Sequence, residues 1–211
     1  MNPTSGFIYN VFEWITRLAY LNLLWILFSL AGGLIFGFFP ATIAMFAISR
    51  EWLKGNFDIP ILKSFWDYYR RDFLKSNLLG IFISIIIFLI AIDIIYIQGN
   101  TNGLLTWTYI PLFAFMLLFI MLLFYIFPAF VHYDIKVQYV MKNSFLIMLI
   151  NPISSLLIIL CLVPLFFIMK SFPALAFIFG GSSYAYITMW ISLHAFNKAN
   201  KKNGNPVNTE N

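Results

Sequence analysis

The sequence predicts an all-α, polytopic membrane bundle, and three observations predict it. The first is composition. The chain is 62% hydrophobic and 10% charged, with 25 Phe, 11 Tyr and 6 Trp among 211 residues, whereas a soluble domain averages about 25% charged residues. Such a chain cannot cover a water-facing surface. The second is pattern: apolar runs recur at 18–49, 78–92, 104–131, 144–169 and 172–195. About 20 apolar residues rising 1.5 Å each cross a bilayer, and the helix satisfies its own backbone there. The third is where the charges fall. The net charge is +5, but the Lys and Arg residues sit between the apolar runs. They read as topology signals rather than as a nucleic-acid surface.

The elements follow in order. Residues 18–49 carry no Lys, Arg, Asp or Glu, which is well beyond one crossing. Gly32, Gly33, Gly37 and Pro40 lie in the middle and predict a helix break, because glycine loosens a helix and proline removes a donor and clashes with the preceding turn. We expect one span at 18–38 and a half-helix at 41–54; a two-span hairpin is the alternative. The break serves either close helix packing or a pore-lining or substrate-binding role. Gly55, Asn56, Asp58 and Pro60 mark a turn. From Ile61 the apolar positions 61, 62, 65, 66, 69 and 73 recur at helical spacing. This predicts an interfacial helix over 61–76, aromatic face towards lipid and basic residues near anionic headgroups. Further spans are expected at 78–97, 105–130, 147–169 and 173–195, the fourth bent by Asn151-Pro152 near its entrance. Residues 1–197 thus form one transmembrane domain of five main helices, or six if 18–49 is a hairpin. The Asn-rich stretch 198–211 is expected to be a disordered cytoplasmic tail.

Charge then orients the chain. With six spans, twelve Lys and Arg fall on one side and only Lys170 on the other; with five, Arg17 joins Lys170 and the division is eleven against two. Both place residues 50–77, 132–143 and the C-terminus in the cytoplasm of a bacterial cell. The N-terminal region contains Glu13 and a single Arg before its apolar core, which argues against a cleaved signal peptide. Cys161 is the only cysteine, so no disulfide within the chain is expected.

Two stretches, WITRLAYLNLLWILFSLAGGLIFGFFPATIAMFAISREWLKG at 14–55 and DIPILKSFWDYYRRDFLKSNLLG at 58–80, resemble the N-terminal signature of the YesL-like family of small bacterial integral membrane proteins. The resemblance covers about the first 80 residues. It implies a multi-span plasma-membrane protein of uncertain biochemical role. Its members are often encoded beside carbohydrate uptake and polysaccharide-breakdown systems. It supplies no catalytic residues.

Chemistry is thin along the chain. His132 and His194 are the only histidines, and no metal or P-loop motif is present. His132-Tyr133-Asp134 reads as an interfacial cap and His194 as a partner for a helix C-terminus. Ser154-Ser155 and Gly180-Gly181-Ser182-Ser183 lack an acid or base at matching depth and read as close-packing positions. No catalytic, cofactor or metal site is expected. Asp93 is the one acidic residue inside a main apolar run and is the candidate intramembrane polar group. The candidate docking residues are Arg50, Trp52, Lys54, Trp66, Tyr69, Arg70 and Arg71, types favoured as interface anchors. The expected function is a non-enzymatic accessory role in the membrane, through contacts with carbohydrate-transporter subunits or a homo-oligomer. A small carrier or channel working as an oligomer is the alternative.

Overall fold

A computed structural model describes residues 3–99, 109–133 and 135–202. The predicted outer loop beyond Gly99, the start of the predicted 105–130 span, Asp134 and residues 203–211 of the predicted tail lie outside them. Among the described residues the chain forms eight helices and no strand. They are α1 (Pro3–Ala31), α2 (Ile35–Leu53), α3 (Ile61–Arg71), α4 (Phe73–Gly99), α5 (Tyr109–Tyr133), α6 (Val137–Ile150), α7 (Pro152–Ser171) and α8 (Pro173–Lys202). Five of these, α1, α4, α5, α7 and α8, are long and apolar enough to cross a membrane.

In α1 Leu24 is buried, and Trp14, Leu18, Leu21, Trp25 and Phe28 also pack inward. Their alternating spacing of four and three keeps one face of the helix towards its neighbours. Leu23, Leu27 and Leu30 point outward, as expected for lipid-facing positions. The same spacing recurs in α4, where Ser76, Leu79, Ile83 and Ile90 are buried.

Between α1 and α2 the chain reverses in three residues. The Leu34 N–H bonds Ser29 O and the Gly33 N–H bonds Leu30 O, both at 2.9 Å, which is the Schellman pattern of a helix C-terminus. Gly33 has φ 73°, a value glycine adopts without cost. Leu34 follows at φ 61°, ψ −60°, with the Ile35 N–H 2.7 Å from Gly33 O. That is a γ-turn of the rare, strained hand. Beyond it the helices pack at backbone contact. A Cβ on Gly37 would run into the carbonyls of Phe28 and Ser29, and one on Gly32 into Gly37 and the Tyr69 hydroxyl. The break therefore lies at Gly32–Leu34. Gly37 and Pro40, predicted as part of it, sit inside α2 instead. The missing donor of Pro40 falls in the second turn and removes a single rung.

The predicted half-helix 41–54 is likewise corrected. α2 has 19 residues, about 28 Å at 1.5 Å each, and runs back along α1. The Arg17 guanidinium donates to Phe57 O at 2.8 Å and the Trp14 ring meets Trp52 at 5.9 Å. The beginning of α1 and the end of α2 thus share one end of the bundle, as in the hairpin alternative. Residues 40–49 of α2 are all buried, so it is the pivot on which α1, α3, α4, α5 and α8 pack. Ala41, Ala44, Ala47 and Ser49 let those neighbours come close.

α3 stops at Arg71 rather than at 76. Asp72 leaves helical geometry (φ −100°, ψ 9°), and α4 starts afresh at Phe73. The bend lets α3 lie on α2 while α4 turns away. The aromatic face predicted to meet lipid is largely used within the chain: Phe65 is fully buried and Tyr69 nearly so, both against Phe28 of α1. The predicted span 147–169 is divided at Asn151, with Pro152 in the first turn of α7, where its absent N–H costs nothing. α8 continues through Lys202, so residues 198–202 of the predicted tail are helical.

Candidate functional site

A cluster of charged and polar side chains lies where the ends of α2, α3 and α5 meet. A cavity of about 190 Å³ lies there, lined by Ala47, Arg50 and Glu51 of α2, Tyr68 and Arg71 of α3, Asp72, and the last turn of α5 at Phe130, Val131 and His132. Arg71 donates to Asp72 Oδ2 from Nε at 3.2 Å and Nη2 at 2.8 Å. Glu51 accepts from Asn56 at 2.7 Å, Lys54 at 3.3 Å and Arg50 at 3.4 Å. Arg50 Nε and His132 Nδ1 are buried without a partner among the described residues. Burial, and next the Glu51 carboxylate, raises the pKa of Tyr68, so its phenol stays protonated and able to donate. The Arg71 guanidinium stacks 5.1 Å from the Tyr68 ring centroid.

A separate latch lies at the same end. Arg17 pairs with Glu13 at 2.6 Å, donates to Phe57 O and covers the Phe57 ring. This fixes the α2–α3 loop to α1. The end of α8 is here as well, since Phe196 packs on His132 and Tyr133.

The candidate docking residues divide. Trp52 is 1% exposed and Tyr69 6%, so both are core residues and unavailable to a partner. Arg50 is half-buried on the cavity, beside the more exposed Lys54. Trp66 is 47% exposed, and with Leu62 and Arg70, four residues to either side, it forms an outward row on α3. The Arg71 side chain is 61% exposed. Asp93 is exposed on the outer face of α4, whereas an acid lining a path through the chain would face the bundle interior.

Within the spans, polar side chains hold helices together. Asn22 of α1 donates to Phe177 O at 2.7 Å and accepts from the N–H groups of Gly181 and Ser182 at 3.0 and 3.1 Å. Its amide therefore engages both ends of one rung of α8, the carbonyl of residue 177 and the N–H of 181. The Tyr125 hydroxyl meets Ser155 Oγ at 3.0 Å, and the Trp25 N–H reaches Thr42 Oγ1 at 3.1 Å. Ser182 Oγ donates to Phe179 O, and His194 Nδ1 lies 2.8 Å from Trp190 O. Among the described residues no group of three His, Cys, Asp or Glu side chains is placed to hold a metal.

Residues 18–94, from the middle of α1 through most of α4, match the family described as "Protein of unknown function, DUF624". Three proteins of Bacillus subtilis (strain 168) are similar over nearly the whole chain. The protein named "Uncharacterized protein YteU" is 37% identical over 92% of this chain and 87% of its own length. "Uncharacterized protein YesL" is 34% identical over 90% and 89%, and "Uncharacterized protein YesV" 31% over 88% and 89%. The chain belongs to the YesL-like DUF624 family. No solved structure matches it. The region shared with the DUF624 description includes the α1–α2 hairpin, α3 and the α2 and α3 walls of the cavity. The His132 wall lies outside that stretch but inside the longer similarity to its relatives.

Two features of the site escape sequence reasoning. His132 reads as a cap because its neighbours in sequence say nothing of Arg50, 82 positions away. Asn22 is visible as a polar residue in an apolar run, but its partners are more than 150 positions on.

Proposed function

We propose that this DUF624 protein is a non-enzymatic accessory component of the bacterial cell membrane, acting by contact at the end of the bundle that carries residues 50–76. The observation that supports this reading most is the outward row Leu62, Trp66 and Arg70 on α3. That helix is fastened to the bundle by Phe65 and Tyr69, so the row is presented rigidly. Exposed Trp and Arg are the side chains that most often anchor interfaces. The hairpin puts Arg17 at the same end as residues 50–75, the end of α5 and the end of α8, which leaves Lys170 as the one cation of the other side. By the positive-inside rule the crowded end is cytoplasmic. The partner we favour is a subunit of a carbohydrate uptake system, on the strength of the family resemblance.

Crosslinked affinity purification from native membranes, with quantitative mass spectrometry, tests this. Wild type should enrich permease or ATPase subunits, and Trp66→Ala/Arg70→Ala should lose them while inserting normally. Tyr69 must be left intact, because its loss would disturb the core. Equal enrichment by both proteins, or none by wild type, would count against the reading. A second reading, a carrier working as an oligomer, draws on the exposed Asp93, which only a neighbouring copy would enclose. Under it Asp93→Asn abolishes transport; under the accessory reading it leaves partner capture unchanged.

A further inference from the structure

We propose that the cavity between the ends of α2, α3 and α5 binds a phosphate-type oxyanion, with Arg50, Tyr68 and His132 as its donors. Charge accounting comes first. Three cations surround the cavity, Arg50, Arg71 and the adjacent Lys54, against two carboxylates, Glu51 and Asp72. Asp72 is engaged by Arg71 at 2.8 Å. Glu51 is shared among Asn56, Lys54 and Arg50, and Arg50 holds the longest of those contacts at 3.4 Å. Arg50 thus shares its carboxylate with two other donors, with only 22% of its side chain exposed. A partly buried cation in that position calls for a counter-charge.

The hydrogen-bonding inventory points the same way. Arg50 Nε can only donate, and it is buried without a partner among the described residues. His132 Nδ1 is in the same condition and donates in the appropriate tautomer. Both line one cavity with the Tyr68 phenol. Leaving such groups unsatisfied is costly, and an oxyanion answers all of them together. The donors belong to α2, α3 and α5, so they approach from three directions, which suits a tetrahedral oxyanion better than a planar carboxylate.

Size narrows the ligand further. At about 190 Å³ the cavity holds several waters of about 30 Å³ each. It falls short of the roughly 300–1,000 Å³ of sites that enclose drug-sized molecules. A phosphate group fits. α5, one of the helices long and apolar enough to cross a membrane, ends at the cavity, which makes a lipid headgroup one source of such an oxyanion. Either a lipid phosphodiester or free inorganic phosphate supplies the chemistry.

The test uses full-length protein, stripped of lipid in detergent, with Arg70→Gln as the control, since it removes an exposed cation of α3 outside the cavity. Inorganic phosphate is titrated at constant ionic strength while thermal unfolding is followed. In parallel, native mass spectrometry compares retention of phosphatidylglycerol with that of diacylglycerol, which lacks the phosphate. Wild type and Arg70→Gln should bind alike, and Arg50→Gln at least about tenfold more weakly. His132→Gln keeps the charge of Arg50 and should also weaken binding, which covers failure of Arg50→Gln to fold. Binding of phosphate identifies the free anion as sufficient; retention of phosphatidylglycerol alone identifies the headgroup. Neither ligand binding wild type, or equal loss in Arg50→Gln and Arg70→Gln, overturns the proposal.

Discussion

Replacing Asn22 by Leu tests the most specific contact of the bundle. The Asn22 side chain is 2% exposed and makes three hydrogen bonds to the α8 backbone, to Phe177 O, Gly181 N–H and Ser182 N–H. Leucine fills a similar volume and makes none. An interhelical hydrogen bond within a membrane contributes about 0.6 kcal/mol on average and at most about 1.7. Three give about 2 kcal/mol, with a ceiling near 5 if none is recovered. The expected loss is therefore about 2 kcal/mol, or about 4–8 °C in Tm for a chain of this size. Asn22→Asp should be worse, because it sets a carboxylate oxygen against Phe177 O and buries a charge. Thermal unfolding in detergent, followed by the fluorescence of the tryptophans, measures both. A Cβ on Gly181 would come to 2.9 Å from Asn22 Oδ1, so Gly181→Ala should be costly in wild type and much less so beside Asn22→Ala. Wild-type stability in Asn22→Leu together with Asn22→Asp, or simple additivity in that cycle, would refute the clamp.

Three further outcomes are expected. Leu34→Gly should raise stability by about 1 kcal/mol, because Leu34 holds φ 61° and its side chain is already 59% exposed; a lower unfolding temperature would contradict the strained turn. Gly37→Val should cost about 3 kcal/mol, the upper end for overpacking, since the new methyls meet the fixed carbonyls of Phe28 and Ser29; normal accumulation in membranes would show that the hairpin can open. Arg17→Gln removes the bond to Phe57 O and the pair with Glu13, and should speed limited proteolysis between residues 54 and 60; unchanged cleavage would mean that Arg17 does not fasten that loop.

The class of the fold was legible because it depends on quantities the chain carries locally: run length, apolarity and the placement of charge. The break after residue 31 was legible for the same reason, since Gly32-Gly33 announces a helix stop. Its extent was not. Pro40 reads as a breaker wherever it stands, and only the reversal at Gly33 and Leu34 shows that a new helix has begun five residues earlier. The inner face of α3 was read correctly in periodicity and incorrectly in partner. A stripe of Phe65 and Tyr69 fits lipid as well as protein, and nothing near it in sequence announces Phe28 as the surface it covers. Trp52 was misread as a docking residue by the same limit, because position beside Arg50 and Lys54 suggests exposure while packing against Trp14 makes it core.

These misreadings share a cause that also bears on function. In this bundle several polar side chains inside the helices are spent on neighbouring helices, Asn22 on α8, Thr42 on Trp25 and Ser155 on Tyr125, while Thr188 bonds its own preceding turn. A side chain so engaged cannot exchange its partners for a passing solute without losing the contact that holds two helices together. The buried side-chain polar atoms without a partner among the described residues belong to Ser29, Arg50, Trp52, His132 and Ser192; of these, Arg50 and His132 share one cavity, at the end that also carries the outward row on α3. Both are carried by α2 or by helices fastened to it, and α2 is enclosed along residues 40–49. Tyr68, which lines the cavity, and Trp66 of the outward row stand two residues apart on the same short helix. Asp93, on the outer face of α4, belongs to neither the cavity nor that row.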